Sequence, residues 1–286
     1  VVPHDGVDLV VTEVAQRHGV LKRRAVNATS QHRVIGVNVD VALVCEPLNS
    51  PLNQRRVVRM VTIALAGGIT PVVILTKTDL ADDLAADIAA ARQVAPTARL
   101  IALSAIDDAD DVREQLATVL GTGVTAVLFG PSGAGKSTLV NALFEADKQL
   151  VRDIRASGYG RHTTTASTLL DLPGGGCIID TPGVRDLGVA EAVKAVDISF
   201  ADLAELATSC RFHDCGHRTE PGCAIITAIA LGNLDYERVE SWRKLGREAE
   251  FEAARSDARI RRERSAQFKK MGKHYRSYQK ANPKGR

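Results

Sequence analysis

The segment from Gly130 to Thr138 has the residue types and the spacing that bind the phosphates of a nucleotide. It reads GPSGAGKST and matches the pattern GxxxxGK[ST] between an apolar run and a helical pattern. Glycines let the backbone curl until its N–H groups face phosphate oxygens, and the helix N-terminus adds positive potential. We expect the whole segment to contact the nucleotide: Gly130, Pro131, Ser132, Gly133, Ala134, Gly135, Lys136, Ser137 and Thr138.

Two residues of this segment and two later residues together form a phosphate and magnesium site. Lys136 is placed to bridge the β- and γ-phosphates and to act as a catalytic charge, and Ser137 is placed to bind Mg²⁺. Asp180 ends an apolar run, where its carboxylate can reach the Mg²⁺ shell. Gly183 completes the sequence DTPG and can bring a backbone N–H close to the γ-phosphate.

The sequence TKTD, from Thr76 to Asp79, indicates selection of guanine. Asp79 can accept hydrogen bonds from guanine N1–H and the 2-amino group, a donor pair that adenine lacks. Lys77 can pack its aliphatic stem across the base. Thr76 stands where asparagine is commoner in such motifs. Ser104 and Ala105, after the next apolar run, can direct backbone N–H groups to guanine O6.

The Gly/Thr-rich segment GYGRHTTT, residues 158–165, is typical of a loop that closes on Mg²⁺ and the γ-phosphate. Thr164 or Thr163 would supply the Mg²⁺ ligand. Val184 follows DTPG where many GTPases have a glutamine that orients the attacking water, and valine cannot do so. We therefore expect slow hydrolysis of GTP, and we expect His162 or a residue ordered by a partner to orient the attacking water.

These motifs occur in rotated order. In most GTPases the phosphate-binding loop precedes the guanine-selecting motif, whereas here Thr76–Asp79 and Ser104 come before Gly130–Thr138, and Asp180 follows. The chain thus carries a full set of GTPase motifs in circularly permuted sequence.

A second cluster, Cys210-x4-Cys215-x-His217-x5-Cys223, is typical of a metal site. Three thiols and one imidazole suit a tetrahedral, structural Zn²⁺ without a vacant catalytic position. His213 is an alternative source of the imidazole. The remaining cysteines, Cys45 and Cys177, lie in apolar runs and are predicted to be buried.

Short apolar runs alternate with helical patterns from about residue 39, which predicts an open, mostly parallel α/β sheet with helices on both faces. Predicted strands are 39–44, 71–75, 100–103, 124–129 and 176–180, with extended pieces at 151–157 and 167–172. Predicted helices are 54–66, 80–93, 107–120, 139–144 and about 234–273. Residues 1–38 indicate the last strands of a β domain around a basic segment at 21–25. The chain begins with Val1, so we expect a trimmed or incomplete N-terminus.

Charge is unevenly distributed. Residues 255–286 carry 12 lysines and arginines against two acids, whereas the net charge of the whole chain is +3. This basic segment suggests contact with a polyanion such as RNA. Five cysteines, an odd number, argue against a disulfide framework, and no apolar run is long enough to span a membrane.

On these motifs the chain resembles the circularly permuted GTPases of the RsgA/YjeQ type, over roughly residues 35–225. The resemblance implies a partial N-terminal OB-like β segment (1–38), a permuted P-loop GTPase domain (39–203) and a C-terminal zinc-binding helical domain (204–286). It implies a cytoplasmic GTPase that binds GTP, GDP, the 30S ribosomal subunit and 16S rRNA, and is stimulated by the subunit. We expect a monomer. The alternatives are a P-loop ATPase or kinase, and a zinc-dependent RNA-binding protein whose nucleotide is only structural.

Overall fold

The computed structural model describes residues 2–4, 7–10, 13, 15–24, 32–104, 109–144, 168–180 and 193–256. The chain forms two compact units. The first contains Val1–Arg23 and Arg33–Asp186, and the second contains Arg24–His32 and Leu187–Arg286.

The N-terminal region forms two small strand pairs. Strand β1 (Val2–His4) pairs antiparallel with β2 (Val7–Val10), and β3 (Leu21–Arg24) pairs with β4 (His32–Gly36). The basic segment at 21–25 thus contributes a strand, although charged residues are poor strand formers. The reason is visible at Leu21, which is only 1% exposed and anchors β3 in the core of the first unit.

A six-stranded sheet dominates the first unit. Its strands are β5 (Val41–Pro47), β6 (Thr70–Thr76), β7 (Arg99–Ala102), β8 (Thr125–Phe129), β9 (Thr168–Asp171) and β10 (Cys177–Asp180). Their order is β7-β6-β5-β8-β10-β9, and every neighbouring pair is parallel except β9 with β10. The predicted open, mostly parallel sheet is confirmed.

Four helices of the first unit follow the predicted pattern, three of them with shifted ends. They are α1 (Gln54–Ala66), α2 (Leu84–Val94), α3 (Ala109–Ala117) and α4 (Lys136–Phe144). Helix α1 has its predicted bounds because the Asn53 side chain caps its first turn. Helix α2 begins later than predicted, because Asp83 caps it and the preceding Thr78–Leu80 forms a 3₁₀ turn.

Both faces of the sheet are buried. Alternate residues of β5, such as Leu43 and Cys45, pack in one cluster with Leu116 of α3 and Leu139 of α4. The intervening Ala42 and Val44 are 0% exposed. Helix α1 contacts β5 and β6. Burial on both faces explains why the strands are continuous apolar runs.

Four helices lie in the part of the second unit that is described at 193–256. It contains α5 (Val193–Ser199), α6 (Ala201–Ala207), α7 (Ala224–Ala230) and α8 (Tyr236–Ser256), the last within the helix predicted at 234–273. Arg238 of α8 is 4% exposed, donates to the Asp202 carboxylate of α6 at 2.7 Å and lies over the Phe200 ring. This buried cation therefore fixes α8 against the start of α6. Within the described ranges, no helix is long and apolar enough to cross a membrane.

One fully buried carboxylate stabilises the end of β5. Glu46 is 0% exposed, and it accepts hydrogen bonds from the Arg56 guanidinium and, at 3.2 Å, from the Asn53 backbone N–H. Both partners lie at the start of α1. The buried ion pair thus connects β5 to the helix that covers it.

We predict that Glu46→Ala destabilises the protein by about 3 kcal/mol, because it leaves the Arg56 charge without its buried partner. Chemical denaturation followed by circular dichroism measures the change. Asp110→Ala is the matched control, since its ion pair with Arg113 involves a side chain that is 90% exposed. That variant should lose less than about 1 kcal/mol. Equal losses in both variants would contradict the role of Glu46.

Candidate functional site

The predicted nucleotide-binding segments meet at the carboxyl edge of the sheet. Lys77 follows β6, Ser104 comes two residues after β7, and Gly130 directly follows β8. Asp180 is the last residue of β10. Because these strands run parallel, their carboxyl ends lie along one edge, where open α/β sheets bind ligands.

The loop from Gly130 to Gly135 depends on glycines at particular positions. Gly130, Gly133 and Gly135 have φ of 147°, 77° and 78°, a region that other residues rarely adopt. A Cβ on Gly130 would lie 2.6 Å from the Cys45 carbonyl oxygen, which is impossible without displacement of the backbone. Helix α4 begins at Lys136, so its first-turn N–H groups are at the edge of the sheet.

Lys136 places its charge at this loop. Its Nζ donates to the carbonyl oxygens of Gly130 at 3.0 Å and Pro131 at 2.7 Å. Ser137 and Thr138, the next residues of α4, are exposed. The loop therefore combines an ammonium group, curled backbone and two accessible hydroxyl side chains, which suits a polyphosphate.

Thr76 joins the guanine-selecting segment to the phosphate-binding loop. It is 3% exposed, and its Oγ1 donates to the Ala134 carbonyl oxygen at 2.9 Å, across 58 residues of sequence. Its own carbonyl accepts from the Leu48 N–H at 2.9 Å. The threonine thus connects the two loops directly, through one hydroxyl.

Beyond Thr76 the chain turns sharply. Lys77 has φ of 57°, uncommon for a residue with a side chain, and it precedes the 3₁₀ turn that contains Asp79. Asp79 is exposed at this turn. A backbone held in a sparsely populated conformation beside a candidate ligand site is a sign of functional constraint.

Ser104 carries a second sign of a ligand. Its Oγ is buried and has no hydrogen-bond partner among the residues that the structure describes. A buried polar group without a partner costs free energy, so such groups call for a specific explanation. The hydroxyl lies after β7, beside the predicted position of the base.

Several predicted site residues lie outside the described ranges. They are Ala105, His162, Thr163, Thr164, Gly183 and Val184. For Asp180 the backbone is described at the end of β10, opposite Thr168 of β9. The roles of all these residues in contacting guanine and the γ-phosphate, in binding magnesium and in positioning water stay predictions.

Of the two cysteines predicted to be buried, Cys45 is 0% exposed, and burial raises the pKa of its thiol to about 12. The thiol is therefore protonated at neutral pH and packs as a small apolar group, as predicted. Cys177 is only half-buried, and its Sγ lies 3.5 Å from Thr125 Oγ1.

The structure brings together four of the predicted metal ligands: Cys210, Cys215, His217 and Cys223. Their ligand atoms all lie within 4.8 Å of one another. Cys210 Sγ is 3.8 Å from Cys223 Sγ, and each of these sulfurs is 3.5 Å from His217 Nδ1. His213, the alternative imidazole, is exposed and is not part of the cluster.

These distances fit a tetrahedral zinc ion. With Zn–S of about 2.3 Å and Zn–N of about 2.0 Å, a regular tetrahedron separates two sulfurs by about 3.8 Å and sulfur from nitrogen by about 3.5 Å. The three sulfurs and one nitrogen supply four ligands, which closes the coordination shell. The cluster can therefore hold a zinc ion without a large rearrangement.

Glu220 organises the loop that presents His217, a role that was not predicted from the sequence. Its carboxylate accepts backbone N–H bonds from Gly216 at 3.0 Å, Arg218 at 2.7 Å and Thr219 at 2.9 Å. These bonds, that of Thr219 foremost, lower its pKa to about 2. The stabilisation by the carboxylate is therefore present above its unfolded pKa of about 4.5 and is lost only as the pH falls towards 2.

The bonds to Glu220 also explain the unusual backbone of His217, whose φ is 56°. Consecutive N–H groups beside a residue in the left-handed region form a concave anion site, here filled by a carboxylate of the chain itself. The only signal in the sequence was an acid three residues after the histidine, beside Pro221-Gly222. Trp242 of α8 also contacts the site, since its ring lies 5.2 Å from the His217 ring.

We predict that Thr76→Val weakens binding of GDP about ten-fold, because it removes the hydroxyl that joins the two loops and leaves the Ala134 carbonyl unsatisfied. Titration with fluorescent GDP measures the affinity. Thr62→Val is the matched control: Thr62 is equally buried, but it donates to Val58 within α1. Its affinity should equal that of the unmodified protein. An unchanged affinity in Thr76→Val would refute the link.

We predict that Glu220→Gln releases zinc to a chromogenic chelator about ten-fold faster, because the amide loses the charge and directs an NH₂ at backbone donors. Glu205→Gln, at an exposed position of α6, is the control and should release zinc at the rate of the unmodified protein. Cys210→Ser should hold less than one equivalent. Equal rates in the two glutamate variants would show that Glu220 does not position the ligand.

Comparisons with known proteins agree with this geometry. The family model RsgA GTPase matches residues 14–190, more than half of the chain. The small ribosomal subunit biogenesis GTPase RsgA of Streptomyces coelicolor is 44% identical over 95% of this chain and 79% of its own length. The crystal structure of YjeQ from Thermotoga maritima superposes with a TM-score of 0.57 at 25% identity, covering 82% of this chain and 77% of that chain.

A circularly permuted GTPase, YloQ, superposes with a TM-score of 0.50 at 21% identity, covering 84% of this chain and 82% of that chain, and supports the fold. These matches favour a GTPase over the alternative of a P-loop ATPase or kinase. GTPase motifs in rotated order, a mostly parallel sheet that gathers them at one edge, and the matching family model lead to one conclusion: the chain belongs to the RsgA GTPase family and is a circularly permuted GTPase.

Proposed function

We propose that this GTPase binds the phosphates of GTP along Gly130–Thr138 and its base at Asp79, with Lys77 across the ring. The observation that carries the proposal is the Thr76–Ala134 hydrogen bond, which joins the two loops at the carboxyl edge of the sheet. The guanine ring would also lie beside Ser104, whose hydroxyl is buried without a partner among the described residues. The Ala105 N–H would complete the contacts to guanine O6.

Magnesium is the cofactor that such a GTPase uses with GTP. We assign the ion to Ser137, Asp180 and Thr164, and the γ-phosphate contact to Gly183. The Lys136 ammonium group lies at the phosphate-binding loop, where it contacts two loop carbonyl oxygens. From this position it stabilises the negative charge that develops during transfer of the γ-phosphoryl group. His162 orients the attacking water. Because Val184 cannot do this, we expect hydrolysis to be slow without a partner.

The Cys/His cluster would hold one structural zinc ion. All four ligand atoms lie within 4.8 Å of one another, and those of Cys210, His217 and Cys223 are at tetrahedral distances. Four protein ligands leave no coordination position for a substrate. We assign it to a helical module at 204–286, after a GTPase module at 39–203 and a β segment at 1–38. A bound zinc ion would fix the loop whose His217 packs against Trp242 of α8.

The partner we propose is the 30S ribosomal subunit, bound through 16S rRNA in the cytoplasm, with the protein acting as a monomer in late maturation of the subunit. Two observations support this partner. The relative from Streptomyces coelicolor is named a small ribosomal subunit biogenesis GTPase. The segment 255–286 of this chain carries 12 basic residues against two acids, which suits a polyanion.

Phosphate release from GTP and ATP, with and without purified 30S subunits at low salt, tests this function. Low salt is needed because contacts with RNA phosphates weaken steeply as salt rises. We expect turnover of GTP but not of ATP. It should be slow without the subunit and at least about ten-fold faster with it. A rate of GTP turnover that does not change when the subunit is added would contradict the proposal that the 30S subunit is the partner. Absence of turnover under all conditions would favour an RNA-binding protein whose nucleotide is only structural.

We predict that Asp79→Asn weakens GTP binding by about 100-fold or more and creates a preference for xanthosine triphosphate. The amide oxygen can accept from xanthine N1–H, and the amide NH₂ can donate to the xanthine 2-oxo group. Guanine instead presents two donors, N1–H and the 2-amino group, which the amide cannot match. Competition against fluorescent GDP gives both affinities. The control is Asp82→Asn, a nearby exposed acid with no assigned base contact, which should keep the preference for GTP. A variant at Asp79 that still prefers GTP would place the base elsewhere.

A further inference from the structure

A cavity of about 360 Å³ lies in the second unit, beside the metal cluster. Its walls are α5, the loop around His217 and the middle of α8. This volume is in the range of small-ligand sites and is sufficient for one nucleotide unit. The GTP site uses none of its residues, because that site lies in the first unit.

One part of the cavity wall is aromatic and apolar. Trp242 lines it together with Val193 and Val196 of α5. Trp242 is also tilted by 36° against the His217 ring, which restricts the indole. A restrained indole at the wall of an open cavity is a suitable surface for a flat ring to stack on.

Another part of the wall is cationic. Arg218, Arg243 and Arg247 line the cavity, and both Arg218 and Arg247 are exposed. The Arg243 side chain is 13% exposed and forms an ion pair with the Glu240 carboxylate. Guanidinium groups are well matched to phosphate oxygens.

Two carboxylates, Asp197 and Glu250, also line the cavity. They would repel a simple anion, but they can accept hydrogen bonds from the amino groups of a nucleobase or from a ribose hydroxyl. An aromatic face, three guanidinium groups and two acceptors together match a nucleotide. The base must be unpaired, because a double helix hides the faces of its bases.

We propose that this cavity binds one unpaired nucleotide of RNA, with the base stacked on Trp242 and a flanking phosphate held by Arg243 and Arg247. The proposal builds on the proposed function, since it assigns part of the contact with ribosomal RNA to a defined cavity. It also connects the metal cluster to RNA binding, because the loop that holds His217 supports the stacking surface and contributes Arg218.

The test uses the full chain with bound zinc and two probes, fluorescein-labelled U5 and A5 oligoribonucleotides. Anisotropy gives their affinity. Unlabelled U5 and A5 are used for the emission of Trp242, which is the single tryptophan of the chain. We expect both oligonucleotides to bind and to change this emission, and a fully paired RNA duplex to leave it unchanged. The basic segment 255–286 is common to every variant, so differences between variants isolate the cavity.

Trp242→Leu should weaken binding of the oligonucleotides about ten-fold, the effect of losing one stacked base. Arg247→Ala should weaken it about five-fold and lower the slope of log affinity against log salt by about 0.7, the effect of losing one phosphate contact. Lys244→Ala is the matched control, since Lys244 is an exposed cation of α8 that does not line the cavity. Its loss should leave the affinity within about two-fold.

Three results would overturn the proposal. The first is an emission of Trp242 that does not respond to either oligonucleotide. The second is an Arg247→Ala variant with full zinc content that binds like Lys244→Ala. The third is an acidic peptide that displaces the oligonucleotides and changes the emission equally, since the cavity would then bind anions in general.

Hydrolysis stimulated by the 30S subunit is measured in parallel on the unmodified protein, which separates this proposal from the proposed function. If the 30S subunit stimulates hydrolysis but the emission of Trp242 does not respond to RNA, only the proposal that the cavity binds RNA is overturned. A response of Trp242 without stimulation upholds the cavity and contradicts the ribosomal partner.

Discussion

The parallel pairing of β5 with both β6 and β8 is the interaction on which the nucleotide site depends. Because these strands run the same way, the loops after β6 and β8 emerge at one edge with only β5 between them. There the Thr76 hydroxyl can reach the Ala134 carbonyl across 58 residues of sequence. An edge gathers the ends of its strands whatever their order along the chain. The rotated order of the motifs is therefore compatible with an ordinary guanine-nucleotide site, since rotation changes the connections between strands and not the edge.

The same edge contains the costly features of the fold. Gly130 approaches the Cys45 carbonyl so closely that no side chain fits, Lys77 has positive φ, and Glu46 is fully buried at the end of β5. Each feature requires the surrounding structure to hold it, and the sheet does so because both of its faces are covered by helices. Glu46 is tolerated because Arg56 and Asn53 satisfy it, so the start of α1 is fixed together with the loop that follows β5.

Local signals were enough to predict much of this structure. The helical pattern at 54–66 predicted the bounds of α1, and the spacing of three cysteines and His217 predicted the cluster that the structure assembles. The features that sequence did not reveal depend on distant contacts or on backbone geometry. The pairing of Glu46 with Arg56, the stacking of Trp242 on His217 and the burial of Leu21 in a basic strand all require the fold. Glu220 is close to His217 in sequence, yet its role depends on three N–H groups that converge only when His217 adopts positive φ.

The central claim is that one edge of the sheet holds the whole nucleotide, with the phosphates at Gly130–Thr138 and guanine at Asp79. A crystal structure of the chain with GDP and Mg²⁺ is the most direct test. We expect phosphate oxygens within hydrogen-bond distance of backbone N–H groups of that loop, and Asp79 paired with guanine N1–H and the 2-amino group. We also expect the Thr76–Ala134 hydrogen bond to persist. A base bound away from Asp79, or phosphates bound away from the loop after β8, would contradict the central claim.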